Sequence, residues 1–269
     1  MRSESTYTIK VLEKVFNILS LYDDKQKKFT IQEISDRLGY NKSSTYRIIR
    51  NLERVAYLER IPETQYYKLG FGLYYLGLNS ESYGPILTAA RPLLSKLNDS
   101  CGETVHLAVL HQGQPLYIDK IESSERVLQI RSRIGSKLPG HCSGVGKMLL
   151  AFVDERKLAE VVEEWGFAKF TDNTITDAAL FAKELKKIRQ LGYAIDNEEI
   201  EYGLKCIAAP ILDSGGNIVA AASISTTKER FKSEFENFKD LVLETTKNIS
   251  SKYQAIMKHP SSFYTNNKG

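Results

Sequence analysis

Apolar positions change their period twice between Thr30 and Lys68. Ile31, Ile34 and Leu38 recur three and four residues apart and stop at Gly39. Thr45, Ile48, Ile49, Leu52 and Val55 repeat the helical spacing, and Asn41 stands as a natural N-cap before a helix from Lys42 to about Arg54. Two short β-like runs follow, Tyr57–Ile61 and Tyr66–Leu69, with Pro62-Glu63-Thr64-Gln65 as their turn. Thr30-Ile31-Gln32-Glu33 reads as a capping box, in which each end residue satisfies the other's backbone N–H. An earlier helix, about Tyr7 to Tyr22, turns Leu12, Val15, Phe16 and Leu19 to one side, and Asp23–Lys28 is a charged loop. The pattern predicts a winged helix-turn-helix over residues 1–70.

Residues 71–84 are aromatic and apolar where a flexible tether would be polar. We read them as a helical linker that docks on a partner subunit or packs on its own domain. Residues 85–258 give a second pattern. A helix to about Ser100 is followed by runs at Thr104–Leu110, Pro115–Ile121 and Val127–Arg131. A Gly-rich loop then feeds a helix from Gly140 to about Val153, with further helices at Glu155–Trp165 and Asp177–Leu191. Tyr193–Asp196, Ile207–Leu212 and Asn217–Thr226 read as strands, and a closing helix spans Lys232 to Met257. Blocks of strands with helices between them predict an α+β fold whose sheet is mainly antiparallel and flanked by helices. Residues 259–269 form a polar tail.

Charge sharpens this division. Residues 1–70 hold 13 Lys and Arg against 9 Asp and Glu, whereas residues 71–269 hold 24 of each, so the whole formal charge of +4 sits on the first quarter of the chain. A basic head on a neutral body suits a partner with a phosphate backbone. The excess is small, so tight binding calls for more than one head. Apolar runs such as Met148–Val153 are too short to span a bilayer, and the N-terminal residues do not resemble a signal peptide. Three cysteines without a C-x-x-C pair argue against a disulfide framework or zinc ribbon and fit a reducing cytoplasm.

The head supplies the first candidate chemistry. Lys42, Ser43, Ser44, Thr45, Tyr46, Arg47 and Arg50 lie on the second helix of the turn. Small hydroxyls permit close approach to a groove, and Arg47 and Arg50 offer bidentate donors to guanine or phosphate. Arg60, Tyr66 and Lys68 on the wing would follow the DNA backbone or minor groove. Enzyme chemistry is the competing class. A phosphate-binding loop at Gly140–Met148 fails, because the first required glycine is His141 and the magnesium-binding hydroxyl is Met148. A nucleophile elbow at Ser143 fails on His141 as well. A hydrolase built on Cys142 or Cys206 with His141 stays open, as does a metal site drawn from Cys101, His106, His111, His141, Cys142 and Cys206. Against the metal, His106 and His111 are five apart on a strand and face opposite sides. Arg131 and Arg133 could meet an acidic ligand or form a solvated edge. Trp165 and the stripe Phe235, Phe238, Leu241, Val242 and Ile249 read as core or subunit contact. No cofactor is expected.

Three stretches carry a family resemblance: Leu138-Pro139-Gly140-His141-Cys142-Ser143-Gly144-Val145-Gly146-Lys147-Met148-Leu149-Leu150-Ala151, Gly192 to Glu199, and Gly203 to Ile211. With Leu38 to Arg47 in the head, they resemble the IclR family of transcriptional regulators over nearly the whole chain. The resemblance implies a GAF-like effector domain in residues 85–258, dimers or tetramers, and control of a catabolic operon through a double-stranded DNA operator by a small, usually acidic, metabolite. It also implies an effector pocket built from Gly140, His141, Ser143, Gly144, Val145, Gly146, Asp196, Cys206, Ser223 and Ser225. The loop's backbone N–H groups would favour an anion. Asp196 would repel a carboxylate unless it is protonated or receives a ligand hydroxyl, which points to a hydroxy- or keto-acid.

Overall fold

The computed structural model describes residues 9–22, 26–78, 83–123, 132–154, 156, 158 and 166–258, in two units that divide between Glu81 and Ser82. In the first unit, local signals set the boundaries. Thr30 Oγ1 accepts the Glu33 N–H at 3.2 Å while the Glu33 carboxylate accepts the Thr30 N–H at 2.7 Å, so the capping box closes in both directions. Helix α2 (Ile31–Leu38) ends on Gly39, whose φ of 65° lies in the left-handed region that glycine enters without steric cost. Asn41 caps helix α3 (Lys42–Arg54) through the Ser43 N–H.

Helix α1 (Lys10–Leu19) is shorter than the pattern suggests and turns only part of the expected side inward, Val15 and Leu19 packing against the core beside Ile18. Ile18 is fully buried, whereas Phe16 is 63 % exposed and Leu12 is exposed as well. Ile9, Val11, Leu12, Val15, Phe16, Ile18 and Leu19 nearly encircle this helix, so spacing alone does not select the buried face. The core selects it: Ile18 packs with Phe29, Ile34, Ile49, Leu52, Leu58 and Tyr67. Val55, expected in the buried stripe of α3, is instead the exposed residue that ends the helix.

The wing is three-stranded. Strands β2 (Leu58–Arg60) and β3 (Tyr66–Leu69) pair antiparallel, and β1 (Phe29–Thr30) joins the other edge of β3. A two-residue strand is too short to show alternation, so the sequence reading sees Thr30 only as a cap. Helix α4 (Phe71–Leu78) follows, with Phe71, Tyr74, Tyr75 and Leu76 exposed.

The second unit is organised by one sheet in the order β5-β4-β8-β7-β6, antiparallel throughout. Its elements run α5 (Gly84–Cys101), β4 (Thr104–His111), β5 (Gln114–Ile121), a 3-10 turn (Gly140–Cys142), α6 (Gly144–Leu150), α7 (Ala178–Leu191), β6 (Ala194–Asn197), β7 (Leu204–Leu212), β8 (Ile218–Thr227) and α8 (Lys228–Lys258). The β4–β5 hairpin turns on Gln112 and Gly113, both at positive φ as a tight two-residue connection requires. The helix expected from Gly140 to Val153 is broken at Ser143, which is extended and caps α6 by accepting the Gly146 N–H. The expected strand at Val127–Arg131 lies outside the described residues, as do Trp165 and most of the expected helix at Glu155–Trp165.

Helices cover both faces, so β4 is buried along most of its length rather than alternating with solvent. One face packs Val105, Leu107, Ile207, Ala209, Ala220, Ala222 and Ile224 against α5 and against Phe238, Val242 and Ile249 of α8. On the other, Ala108, Ala208 and Ala221 meet Val145, Met148 and Leu149 of α6 and Phe181 and Leu185 of α7. Strand alternation then points Ser223 and Ser225 to the α6 side, with Ala221. Among the described residues, no helix is long and apolar enough to cross a membrane.

Candidate functional site

Two surfaces carry the candidate residues, one in each unit. On α3, Lys42, Ser43, Tyr46, Arg47 and Arg50 are exposed and Ser44 is half-buried. Thr45 is the exception and corrects the sequence reading. It is fully buried, with Oγ1 donating to the Asn41 carbonyl at 3.2 Å, so it holds the start of the helix instead of facing a groove. The sequence placed it on both faces, and packing against Ile48 and Ile49 decides. The wing residues are engaged locally. Arg60 Nε donates to the Thr64 carbonyl at 2.9 Å, Lys68 pairs with Glu59 at 3.1 Å, and the Lys28 ammonium sits 4.8 Å from the centre of the Tyr66 ring. Arg50 pairs with Glu53 at 2.5 Å. Each of these contacts is solvent-exposed and weak enough to exchange for a phosphate.

In the second unit, a cavity of about 290 Å³ opens between the sheet and the loop before α6. Ser143, Gly144, Val145, Asp196, Cys206, Ser223 and Ser225 line it together, although they come from four separate segments. Adjacent antiparallel strands explain the convergence. Asp196 pairs with Cys206 across β6 and β7, and Cys206 pairs with Ser225 across β7 and β8, which sets three polar side chains in a row.

Gly140, His141 and Gly146 do not line this cavity, contrary to expectation. The 3-10 turn swings His141 away: its Nε2 lies 2.9 Å from the Ala168 carbonyl and its ring packs on Phe167 and Phe170. Gly146 serves the cap. A Cβ there would stand 2.5 Å from Ser143 Oγ and 2.7 Å from the Gly140 carbonyl, so only glycine permits this turn.

The other walls come from residues not named as site residues from the sequence, although Leu138, Pro139 and Leu204 lie in the signature stretches. Tyr117, Ser132, Ser136, Lys137, Leu138 and Pro139 close one side, and Ile200, Glu201 and Leu204 the other. Arg133 is not among them, and Arg131 lies outside the described residues. Behind the wall, His106 is buried, with Nε2 2.6 Å from Ser132 Oγ and Nδ1 3.3 Å from Ser225 Oγ, while Cys206 Sγ lies 3.1 Å from that same hydroxyl. His111 is separate and bonds Tyr83 at 2.8 Å.

Burial fixes the protonation of this wall. It pushes the His106 imidazole down to about 3, with Lys120 adding to the effect, so the ring is neutral. Burial likewise raises the Tyr117 phenol and the Cys206 thiol well above their ordinary values, and Cys142 to about 12. Neither thiol is activated as a thiolate, and His141 points at Ala168, so the Cys–His nucleophile has no basis in the geometry. Among the described residues, no group of three His, Cys, Asp or Glu side chains is placed to hold a metal ion.

Asp196 is 1 % exposed, and burial, ahead of any neighbour, raises its carboxyl to about 7. Beside it, Lys147 is equally buried and pairs with Glu199 at 2.5 Å and Glu184 at 3.8 Å. This pair ties α6 to the turn after β6. Its sequence signal is a lone lysine inside the apolar run Val145–Leu150, where a buried charge requires a partner.

A winged helix-turn-helix joined to a ligand-sized cavity defines a DNA-binding regulator with its own sensing domain. Residues 11–62 match the IclR helix-turn-helix domain and residues 81–251 the bacterial transcriptional regulator IclR C-terminal domain. The chain belongs to the IclR family of transcriptional regulators. It is 31% identical to the regulator XynR of Escherichia coli over 233 residues, 86% of this chain and 92% of that one. It is 33% identical to KdgR of Dickeya chrysanthemi over 238 residues, 88% and 77% of the two chains. The Thermotoga maritima IclR crystal structure superposes with a TM-score of 0.77 at 32% identity, covering 92% of this chain and all of that one. These relatives are regulators and not enzymes.

Proposed function

We propose that this protein is a cytoplasmic repressor of a catabolic operon, released from or held on its operator by a small hydroxy- or keto-acid in the cavity. The observation that carries the reading is the joining, in one chain, of an exposed basic recognition helix and a buried, hydroxyl-lined cavity. KdgR is a transcriptional regulator, and a further relative, AllR of Escherichia coli, is a transcriptional repressor, 31% identical over 254 residues. An IclR homologue from Microbacterium hydrocarbonoxydans was crystallised with 4-hydroxybenzoate, an acid that also carries a hydroxyl; at 24% identity and a TM-score of 0.82 it supports the fold.

In this reading residues 1–70 are the head, 71–84 the lever and 85–258 the sensing body. Lys42, Ser43, Ser44, Tyr46, Arg47 and Arg50 face the major groove, and Arg60, Tyr66 and Lys68 exchange their local partners for backbone phosphates. Two heads on one operator require a homodimer or tetramer. The exposed apolar side chains of α1 and α4, Phe16, Phe71, Tyr74 and Tyr75 among them, suit burial against a second copy. Ligand binding has an effect only by favouring one spacing of the heads over another.

A mobility shift on DNA from the region upstream of the protein's own gene tests this reading. Arg47→Ala is expected to abolish specific binding while the melting temperature stays unchanged. Unaltered operator affinity in that variant would remove α3 from the groove.

A further inference from the structure

Helix α4 starts against the end of the recognition helix, and its first turn is bonded to the head. The Gly70 N–H donates to the Tyr57 carbonyl at 2.9 Å, and the Gly72 N–H donates to the Ala56 carbonyl at 2.8 Å. Between them, the Phe71 N–H donates to the carboxylate of Glu59, on strand β2 of the wing, at 2.9 Å. A helix start leaves its first N–H groups without partners inside the helix. Here three consecutive ones are met by the turn after α3 and by the wing.

The approach is as close as two backbones permit. A Cβ on Gly70 would stand 2.2 Å from the Ala56 carbonyl oxygen, and one on Gly72 would stand 2.7 Å from the Val55 carbonyl oxygen. Neither oxygen belongs to a side chain that could swing aside, so only glycine lets α4 lie this near. The end of α3 is shaped to match. The Tyr57 N–H reaches back to the Leu52 carbonyl at 2.8 Å, and Ala56 takes a left-handed φ of 56°. Glycine is the usual residue at that place in a helix end, because a Cβ there is crowded by the following carbonyl. A strained alanine persists where its surroundings over-determine it. The carbonyls of Ala56 and Tyr57 are the two that α4 uses.

Glu59 also pairs with Lys68 at 3.1 Å, yet the Phe71 N–H, ahead of Lys68, is what holds its carboxyl below the usual carboxylate range. Lys68 can therefore leave for a phosphate without releasing α4.

We propose that α4 belongs to the reading head: α3, the wing and α4 move as one rigid piece, and Glu59, Gly70 and Gly72 are positioning residues that fix the angle between the recognition helix and the lever. The direction of the lever then sets where α3 meets the groove. This rests on the proposed reading of the protein as an operator-binding regulator. A head built this way tolerates little change in the separation of two half-sites, because no joint between α3 and α4 absorbs it. Five inserted base pairs turn one half-site by about half a helical turn.

Two measurements on the full chain test the proposal. In hydrogen exchange, the amides of Gly70, Phe71 and Gly72 are expected to be protected to within about tenfold of those of Ile48–Leu52, and to lose protection in the same range of urea. Glu59→Leu is expected to expose the Phe71 amide, and Glu59→Gln, which keeps a carbonyl acceptor, to restore it. Gly72→Ala is expected to expose all three amides while α3 keeps its own protection. Wild-type amides at 70–72 that exchange as in an open chain, beside a protected α3, would overturn the proposal.

The second measurement is fluorescence anisotropy on the operator fragment from upstream of the protein's own gene, and on copies with one, two or five base pairs inserted at its centre. Wild type is expected to lose about tenfold or more in affinity by two inserted base pairs. Gly72→Ala is expected to bind the original fragment more weakly but to show a flatter dependence on spacing. A head that is only destabilised would lose the same factor on every fragment. That uniform loss, or the full wild-type spacing dependence kept in Gly72→Ala, would overturn the proposal. Absence of specific binding by the wild type would overturn the regulator reading and the role given to the angle, and the exchange measurement would still decide whether α4 is part of the head.

Discussion

On the α5 and α8 side of the five-stranded sheet, the central inward positions are apolar, and Thr226 at the end of β8 is a buried hydroxyl among them. On the α6 side the same strands set Asp196, Cys206, Ser223 and Ser225 around a cavity. Strand alternation makes the two faces independent. Ala222 and Ile224 face the closed side, and Ser223 and Ser225, one residue along, face the open one. Both faces bury an apolar cluster, and the α6 side combines its cluster with polar strand positions around a cavity.

Four variants probe this division. Phe238→Ala empties a fully packed site under the closed face and is expected to cost about 3–5 kcal/mol in denaturant unfolding. Lys147→Met, on the open side, is expected to cost a similar ~3–5 kcal/mol, because it strands the buried Glu199 carboxylate. A loss below about 1 kcal/mol would show that the ion pair adds nothing to the fold. Ala222→Ser would place an unsatisfied hydroxyl on the closed face, at about 1–3 kcal/mol. Ser223→Ala with Ser225→Ala makes the reverse change on the open face. It is expected to cost only about 1 kcal/mol, to leave operator binding intact, and to weaken the ligand response. Equal losses from the last two variants would break the comparison, since the faces would then tolerate polarity alike.

The two units also differ in how much their sequence discloses. The head is legible because its signals are local. Thr30 and Glu33 close a cap three residues apart, Gly39 ends a helix, and Asn41 starts the next. What stayed hidden there, the full inward face of α1, which of its two assigned faces Thr45 takes and the exposure of Val55, depends on which residues the rest of the core selects. In the body, the strands were legible to within a few residues. Ser143, Asp196, Cys206 and Ser225 were marked only through resemblance, because the loop before α6 and three paired strands bring together residues up to 82 positions apart, from Ser143 to Ser225. Tyr117, Ser132 and Lys137 gave no signal at all, since an ordinary edge strand and loop become a cavity wall only once the sheet has formed. His141 misled for the opposite reason: it sits inside the signature, but the 3-10 turn directs it away from the cavity, where it is buried against Phe167 and Phe170.

The central claim is that the cavity of the body governs the grip of the head on DNA. Operator affinity of the full chain, measured by fluorescence anisotropy across a titration of the hydroxy acid that binds most tightly, tests it most directly. The account predicts that the acid shifts affinity by at least several-fold in the wild type, and that Ser223→Ala with Ser225→Ala binds the operator normally but ignores the acid. Operator affinity that moves identically in both proteins, or that does not move when the cavity is saturated, would contradict it.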